Sequence, residues 1–318
     1  MSQAEQDRVE ITAPDIASFR AGTNGIPFVA ALDSGRPGPH VAITALVHGN
    51  ELCGAHALVA LREQEIRPAR GRLSLAFVNT AAYARFDPAN PRASRYLDED
   101  LNRLWDPAIL CGPRRSRELA RARELRPLIE SADWLLDLHS MQLRSQPLLL
   151  CGLQDKGRRL ARAMGYPAVV VADAGHRSGA RMRDFGAFGD PASPRTAMLV
   201  ECGQHWARSS VAVALATCRR FLAALEVVDP ATLDRVAPAP EPAAQRVIEV
   251  TEAITVDGGP FRFAEAFSGL EVIPEAGTVI AHDGVRPVRT PYDDCVLIMP
   301  SRRLSPGLTA VRLGRFVD

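Results

Sequence analysis

Six short apolar runs punctuate the first two thirds of the chain. They are residues 41–47 (VAITALV), 73–79 (LSLAFVN), 134–138 (WLLDL), 147–151 (PLLLC), 168–172 (AVVVA) and 197–201 (AMLVE). Aliphatic runs of this length predict strands covered on both faces of a sheet. Helical texture lies between them. Residues 51–65 are apolar at helical spacing, with Asn50 placed to cap the first turn. Residues 114–132 are rich in Arg, Glu, Leu and Ala, and residues 155–164 and 209–226 look similar. Strands alternating with helices predict an α/β domain: a mostly parallel or mixed central sheet with helices on both faces.

The pattern breaks at residues 229–244 (DPATLDRVAPAPEPAA), where prolines replace apolar anchors and a linker is expected. Beyond it, residues 246–256 alternate. Short apolar pieces then follow around 261–267, 270–273, 278–281 and 295–299, separated by Gly, Pro and Asp. That texture predicts a small all-β module. The expected division is a large domain over 1–228, a linker over 229–244 and a small β domain over 245–318.

Charge narrows the function classes. The 318 residues carry 38 basic and 37 acidic side chains, a net of +1, so no bulk field favours nucleic acid or an anionic membrane. No run of eighteen apolar residues predicts a transmembrane helix. Residues 1–15 are polar and of mixed charge, unlike a signal peptide, so a cytoplasmic protein is expected. Cys53, Cys111, Cys151, Cys202, Cys218 and Cys295 form no CxxC pair, which argues against a Cys-rich zinc site or a disulfide framework. Lys156 is the only lysine, so the β module has no attachment point for biotin or a lipoyl group.

Four segments carry candidate chemistry. In His48-Gly49-Asn50-Glu51 an imidazole and a carboxylate stand three residues apart where a strand enters a helix. Both can face one point, as metal ligands do; an acid near a helix N-terminus is the plainer reading. His139, in Asp137-Leu138-His139, ends an apolar strand, where open α/β sheets collect ligands. It is a third ligand or a satisfied strand-end histidine. The segment from Ser94 to Arg103 (SRYLDEDLNR) lies after the second run. Asn102 and Arg103 can clamp a carboxylate there, or belong to a solvated charged loop. Glu201 directly follows the buried AMLV run. A carboxylate at that position is a general base beside a metal-bound water, or half of a buried ion pair.

Taken in order, His48-Gly-Asn-Glu51, Arg95-Tyr-Leu-Asp-Glu-Asp-Leu-Asn102-Arg103, Asp137-Leu-His139 and Glu201 resemble the succinylglutamate desuccinylase/aspartoacylase family. The similarity runs over roughly residues 40–205, and that family shares the zinc carboxypeptidase fold. The resemblance implies one Zn²⁺ per chain on His48, Glu51 and His139. It implies Glu201 as the base that activates water and protonates the leaving amine. Arg95 would polarise the scissile carbonyl, and Asn102 and Arg103 would hold the substrate α-carboxylate. Asp100 would accept from the other nitrogen of His48. Tyr292, in Arg289-Thr-Pro-Tyr292-Asp-Asp, is the candidate for a substrate-facing tyrosine of the C-terminal region.

The implied function is a zinc-dependent amidohydrolase that deacylates a small N-acyl amino acid. Its rivals are a metallocarboxypeptidase acting on peptide C-termini and a non-catalytic binding relative. The β module is expected to cap the site against peptides. Two nitrogens and a carboxylate also accept cobalt and other divalent ions, and the sequence leaves the acyl group, the amino acid and homo-oligomerisation open. His205 is a candidate for the pocket wall. Residues 173–191 read as a mobile loop whose Arg177, Arg181 or Arg183 is expected to meet a second acidic group.

Overall fold

Each of the six apolar runs forms a strand, and all six join one sheet. The computed structural model describes residues 8–23, 25–175 and 178–317. The strands are β1 (Val29–Asp33), β2 (His40–Ala45), β3 (Arg72–Phe77), β4 (Trp134–Met141), β5 (Leu148–Leu150), β6 (Val169–Ala172) and β7 (Thr196–Gln204). After residues 229–244 come β8 (Arg246–Thr255), β9 (Phe261–Phe263), β10 (Val272–Ile273), β11 (Val279–Asp283), β12 (Arg286–Arg289), β13 (Cys295–Ile298) and β14 (Thr309–Val317). The four longer helices are α1 (Leu52–Glu63), α2 (Arg117–Ser131), α3 (Asp155–Met164) and α4 (Arg208–Ala224).

The large sheet has eleven strands in the order β1-β3-β2-β4-β7-β5-β6-β8-β14-β13-β10. Its centre, β3-β2-β4-β7, is parallel, while β5 runs antiparallel to β7, so the sheet is mixed. Alternation divides the core. Val41 and Ile43 of β2 pack on one face with α1, α3 and α4, whereas Ala42 faces α2 on the other. The helices cover both faces as the pattern predicts. No helix among the described residues is long and apolar enough to cross a membrane.

The 229–244 segment does not end the sheet. Leu233 and Val236 pack into the main core, and β8 then pairs in parallel with β6, Val169 facing Arg246. Strands β8, β14, β13 and β10 extend the large sheet, and β9, β11 and β12 form a separate three-stranded antiparallel one. Alternation in residues 246–256 is a local signal; that their edge pairs with β6 is a long-range fact it does not contain.

Residues 173–191 are anchored rather than loose. Met182, Phe185 and Phe188 are buried in the α2-side core, and Arg181 is buried against Asp173 and Asp184. His176 and Arg177 lie outside the described residues.

Glu118, in the first turn of α2, holds the loop that follows β3. Its Oε1 accepts from the Leu97 amide (2.7 Å) and Asn79 Nδ2 (3.2 Å), and its Oε2 from the Asp98 amide (3.1 Å). The carboxylate is fully buried. Removing the acceptor strands buried donors at about 1–3 kcal/mol each. Glu118→Ala is therefore expected to lower unfolding free energy by roughly 2–4 kcal/mol in a denaturant titration. A loss below about 0.5 kcal/mol, the range of ordinary surface substitutions, would refute this anchoring.

Candidate metal centre and active site

The central parallel strands bring their carboxyl ends together, and the candidate residues sit there. After β2 the chain turns at Leu46, whose φ of 61° is unusual for a branched side chain. The Leu46 carbonyl is bonded to the Asn79 amide at 2.7 Å, which fixes the turn. His48 to Glu51 then lead into α1. Gly49 is required by close approach: a Cβ there would lie 2.4 Å from the Tyr83 amide nitrogen and 2.5 Å from the Ser94 carbonyl oxygen. Its amide donates to the Arg95 carbonyl at 3.0 Å, joining this turn to the loop after β3.

His139 and Glu201 meet by strand pairing. They are register partners on β4 and β7. Asp137 and His139 stand two apart on β4 and so share a face.

Glu51 is the hub. Its Oε1 lies 2.7 Å from His48 Nδ1 and its Oε2 lies 2.9 Å from His139 Nδ1. Ligand atoms of His48, Glu51 and His139 fall within 4.8 Å of one another, and all three residues are buried. The outer nitrogens are also engaged. His48 Nε2 meets Asp100 Oδ1 at 3.0 Å, and His139 Nε2 meets Asp137 Oδ2 at 2.8 Å. Asp137 Oδ1 in turn accepts from Thr44 Oγ1 at 2.7 Å. Both rings are thus oriented with Nδ1 inward, the arrangement that carboxylate partners impose on metal-binding histidines. Two imidazole nitrogens and a carboxylate, all buried and converging, form a donor set that could hold a divalent metal ion. Burial pushes the Glu51 carboxyl up, but His48 and His139 overcome it and hold the group well below the usual carboxylate range.

Glu201 is the opposite case. Burial, then the nearby Glu51 charge, raises it well above the usual range. Its Oε2 has no hydrogen-bond partner although buried. An unpartnered buried carboxylate oxygen is costly unless a ligand completes it.

Arg95 reaches Glu51 Oε1 at 3.4 Å and Asp100 Oδ2 at 3.0 Å. Asp100 also caps the 3-10 turn Leu101–Arg103, its Oδ1 accepting from the Asn102 amide at 2.9 Å. Asn102 Oδ1 accepts from the Met182 amide at 2.9 Å. Burial pushes the Arg103 guanidinium down to about 10, and Arg95, Arg181 and Arg312 add repulsion. The Asp100 charge opposes that lowering, and Arg103 Nη1 donates to the Asn102 carbonyl at 2.6 Å.

A cavity of about 170 Å³ unites these groups: His48, Glu51, Arg95, Asn102, Arg103, His139 and Glu201 all line it. Asp100 lies behind His48, on the Nε2 side of its ring. His205 lines the wall too, its Nδ1 2.8 Å from Ser140 Oγ. Burial pushes that imidazole down to about 3.

Tyr292 is a correction. It does not line the cavity; its hydroxyl lies 2.5 Å from Thr251 Oγ1 and its ring lies under the Arg315 guanidinium. Its ring is half-buried against the hydrophobic cluster of the C-terminal strands, away from the cavity. The C-terminal wall is instead Ser268, Met299, Pro300, Ser301, Thr309 and Arg312. Arg312 and Arg181 both approach Asp173, at 3.2 and 2.9 Å. Arg181 lines the cavity; Arg183 does not.

Sequence reasoning missed Asp137, Asp173 and Arg312. Asp137 had a usable signal, its place two residues before a candidate ligand on a strand. Arg312 had a weaker one, a charge inside an apolar alternating strand.

Comparisons with known proteins bear on the fold and the family. No curated protein matches the chain. Several solved structures share its fold at low identity. A succinylglutamate desuccinylase from Vibrio cholerae is 18% identical, with a TM-score of 0.65 over 92% of this chain and 86% of that one. A succinylglutamate desuccinylase/aspartoacylase from Rhodobacter sphaeroides is 16% identical, with a TM-score of 0.64 over 98% and 99%. The product-bound ectoine utilization protein EutE (DoeB) from Ruegeria pomeroyi is 18% identical, with a TM-score of 0.60 over 91% and 88%. Residues 37–224 match the profile of the succinylglutamate desuccinylase/aspartoacylase catalytic domain, and the chain belongs to that family of hydrolases.

Proposed function

We propose that the protein is a zinc-dependent amidohydrolase that removes the acyl group from a small N-acyl amino acid. The observation that carries this reading is Glu201: a buried, partnerless carboxylate oxygen on the strand beside His139, facing the same cavity as the His48–Glu51–His139 cluster. A zinc ion on those three residues supplies an acidified water and a Lewis acid.

The chain's own residues do the rest. Glu201 takes the proton of the attacking water and delivers it to the leaving nitrogen, a task suited to a carboxyl whose pKa burial has raised. Arg95 donates to the substrate carbonyl oxygen and stabilises the negative charge that grows there; a guanidinium remains protonated throughout. Asn102 and Arg103 hold the α-carboxylate, both lining the cavity beside Arg95. Asp100 and Asp137 keep both imidazoles in the tautomer that presents Nδ1.

One observation favours a deacylase over a carboxypeptidase. Residues 268, 299–301, 309 and 312 close one side of the cavity, which leaves room for a small molecule and obstructs an extended peptide. The cap expected of the C-terminal residues is in this reading a wall.

Two measurements test the reading. Mass spectrometry on protein purified without a histidine tag is expected to find about one zinc per chain, lost in His48→Ala and His139→Ala while circular dichroism is unchanged. Parent protein that takes up no metal even after incubation with zinc would overturn the mechanism. Glu201→Gln is expected to retain the metal and KM for an N-acyl amino acid while kcat falls roughly 10²–10⁴-fold. A decrease of less than tenfold would remove Glu201 as the base.

A further inference from the structure

The cavity wall near Arg95 carries a histidine that the proposed reaction leaves unused. His205 is buried and lines the main cavity. Together with Arg95 it also lines an adjoining space of about 50 Å³. The two side chains therefore border the same part of the site.

The backbone fixes where the ring stands. Strand β7 carries a bulge at its end: His139 of β4 faces Glu201, but Met141 faces Gln204, and Gly203 just before has a φ of 111°. A bulge re-aims the side chains that follow it. The His205 amide then donates to the Met141 carbonyl at 2.8 Å. Trp206 locks this turn. Its amide donates to Gln204 Oε1 at 2.8 Å, its Nε1 donates to the Asn50 carbonyl at 3.1 Å, and its carbonyl accepts from the Glu10 amide at 3.0 Å.

Hydrogen-bond accounting assigns the tautomer. His205 Nδ1 lies 2.8 Å from Ser140 Oγ, and Nε2 has no partner among the described residues. This differs from His48 and His139, whose ring nitrogens all meet carboxylates. Ser140 is buried, and its hydroxyl has no other partner among the described residues. A buried hydroxyl proton without an acceptor is costly. The hydroxyl therefore donates to Nδ1, which leaves the ring proton on Nε2. Burial also keeps the ring neutral, with a pKa pushed down to about 3.

We propose that His205 is a second catalytic donor, its Nε2–H bonding the reacting carbonyl oxygen beside Arg95. The inference rests on the deacylase reading. A fixed neutral donor binds a ground-state carbonyl weakly and the oxygen of the tetrahedral state strongly, so its effect is concentrated in the transition state. The donor keeps its proton throughout. Ser140 is in this reading a positioning residue that selects the tautomer.

The test begins with a readout that needs no turnover. Nitrogen-15 NMR of the zinc-loaded protein, with the His205 signals assigned by their loss in His205→Asn, is expected to show the Nε2–H form at neutral pH. Ser140→Ala is expected to release it to a mixture of tautomers. In kinetics, His205→Asn removes the donor and is expected to lower kcat roughly 10²–10³-fold with KM little changed. His205→Gln, whose amide nitrogen reaches the Nε2 position, is expected to recover about tenfold of that loss. Calorimetry with a phosphonate analogue of the tetrahedral state is expected to show weaker binding to His205→Asn than to His205→Gln. An Nδ1–H signal in the parent overturns the proposal. So does a loss carried by KM, or an equal loss in the Asn and Gln variants, which marks packing rather than donation. A parent that hydrolyses no N-acyl amino acid refutes the deacylase reading and the role of His205 with it. An active parent whose His205→Asn variant runs at full rate refutes the role of His205 alone.

Discussion

A single buried carboxylate organises the carboxyl edge of this sheet. Glu51 is sequestered from water and keeps its charge only because two imidazoles stand within 3 Å of its two oxygens. Each imidazole is in turn held by another acid, Asp100 or Asp137. The surroundings follow from that charge. Gly49 must lack a Cβ so that the turn bearing His48 can press against the backbone at Tyr83 and Ser94. The loop after β3 must be pinned by Glu118 so that Arg95 and Asp100 arrive from the other side. Glu201, one strand away, feels the same charge as repulsion and is raised where Glu51 is lowered. Two carboxylates in one site driven in opposite directions is the arrangement that separates a ligand from a proton carrier.

Much of this was legible in the chain because the relevant signals are local. The aliphatic runs are buried on both faces of the sheet, so they show as uninterrupted blocks, and β2, β4 and β7 lie within a few residues of the expected bounds. His48 and Glu51 lie on one turn, and their shared direction is a matter of three residues. His139 and Glu201 are different. Each shows only as a polar residue at the end of a strand. Their adjacency depends on β4 pairing with β7, which are separated by a helix and two strands in sequence. The ordered resemblance of four segments stood in for that long-range information.

Where neither local signal nor ordered motif exists, the expectation went astray. Tyr292 is marked by one short segment alone, and the fold packs it on the C-terminal core with its hydroxyl on Thr251. The 229–244 segment has linker composition, yet it carries the chain to β8, which continues the sheet beside β6. The Gly- and Arg-rich stretch of 173–191 has no periodicity, yet Met182, Phe185 and Phe188 anchor it, because three apolar side chains suffice to bury an irregular segment.

The displaced tyrosine and the continuous sheet are aspects of one arrangement. Because β8 pairs with β6 and β14 with β8, these C-terminal strands are extensions of the large sheet. Their approach to the metal centre is governed by strand register rather than by docking of one surface on another. Register sends Arg312 of β14 inward to Asp173, and the loop between β13 and β14 brings Arg302 and Arg303 to a small cavity shared with Arg95. Strand register is rigid, so Arg312 keeps its place beside Asp173 without a ligand to order it. That preorganisation reduces the entropy lost on binding. A cavity walled by paired strands is accordingly suited to select a ligand by fixed charge position rather than by closing around it.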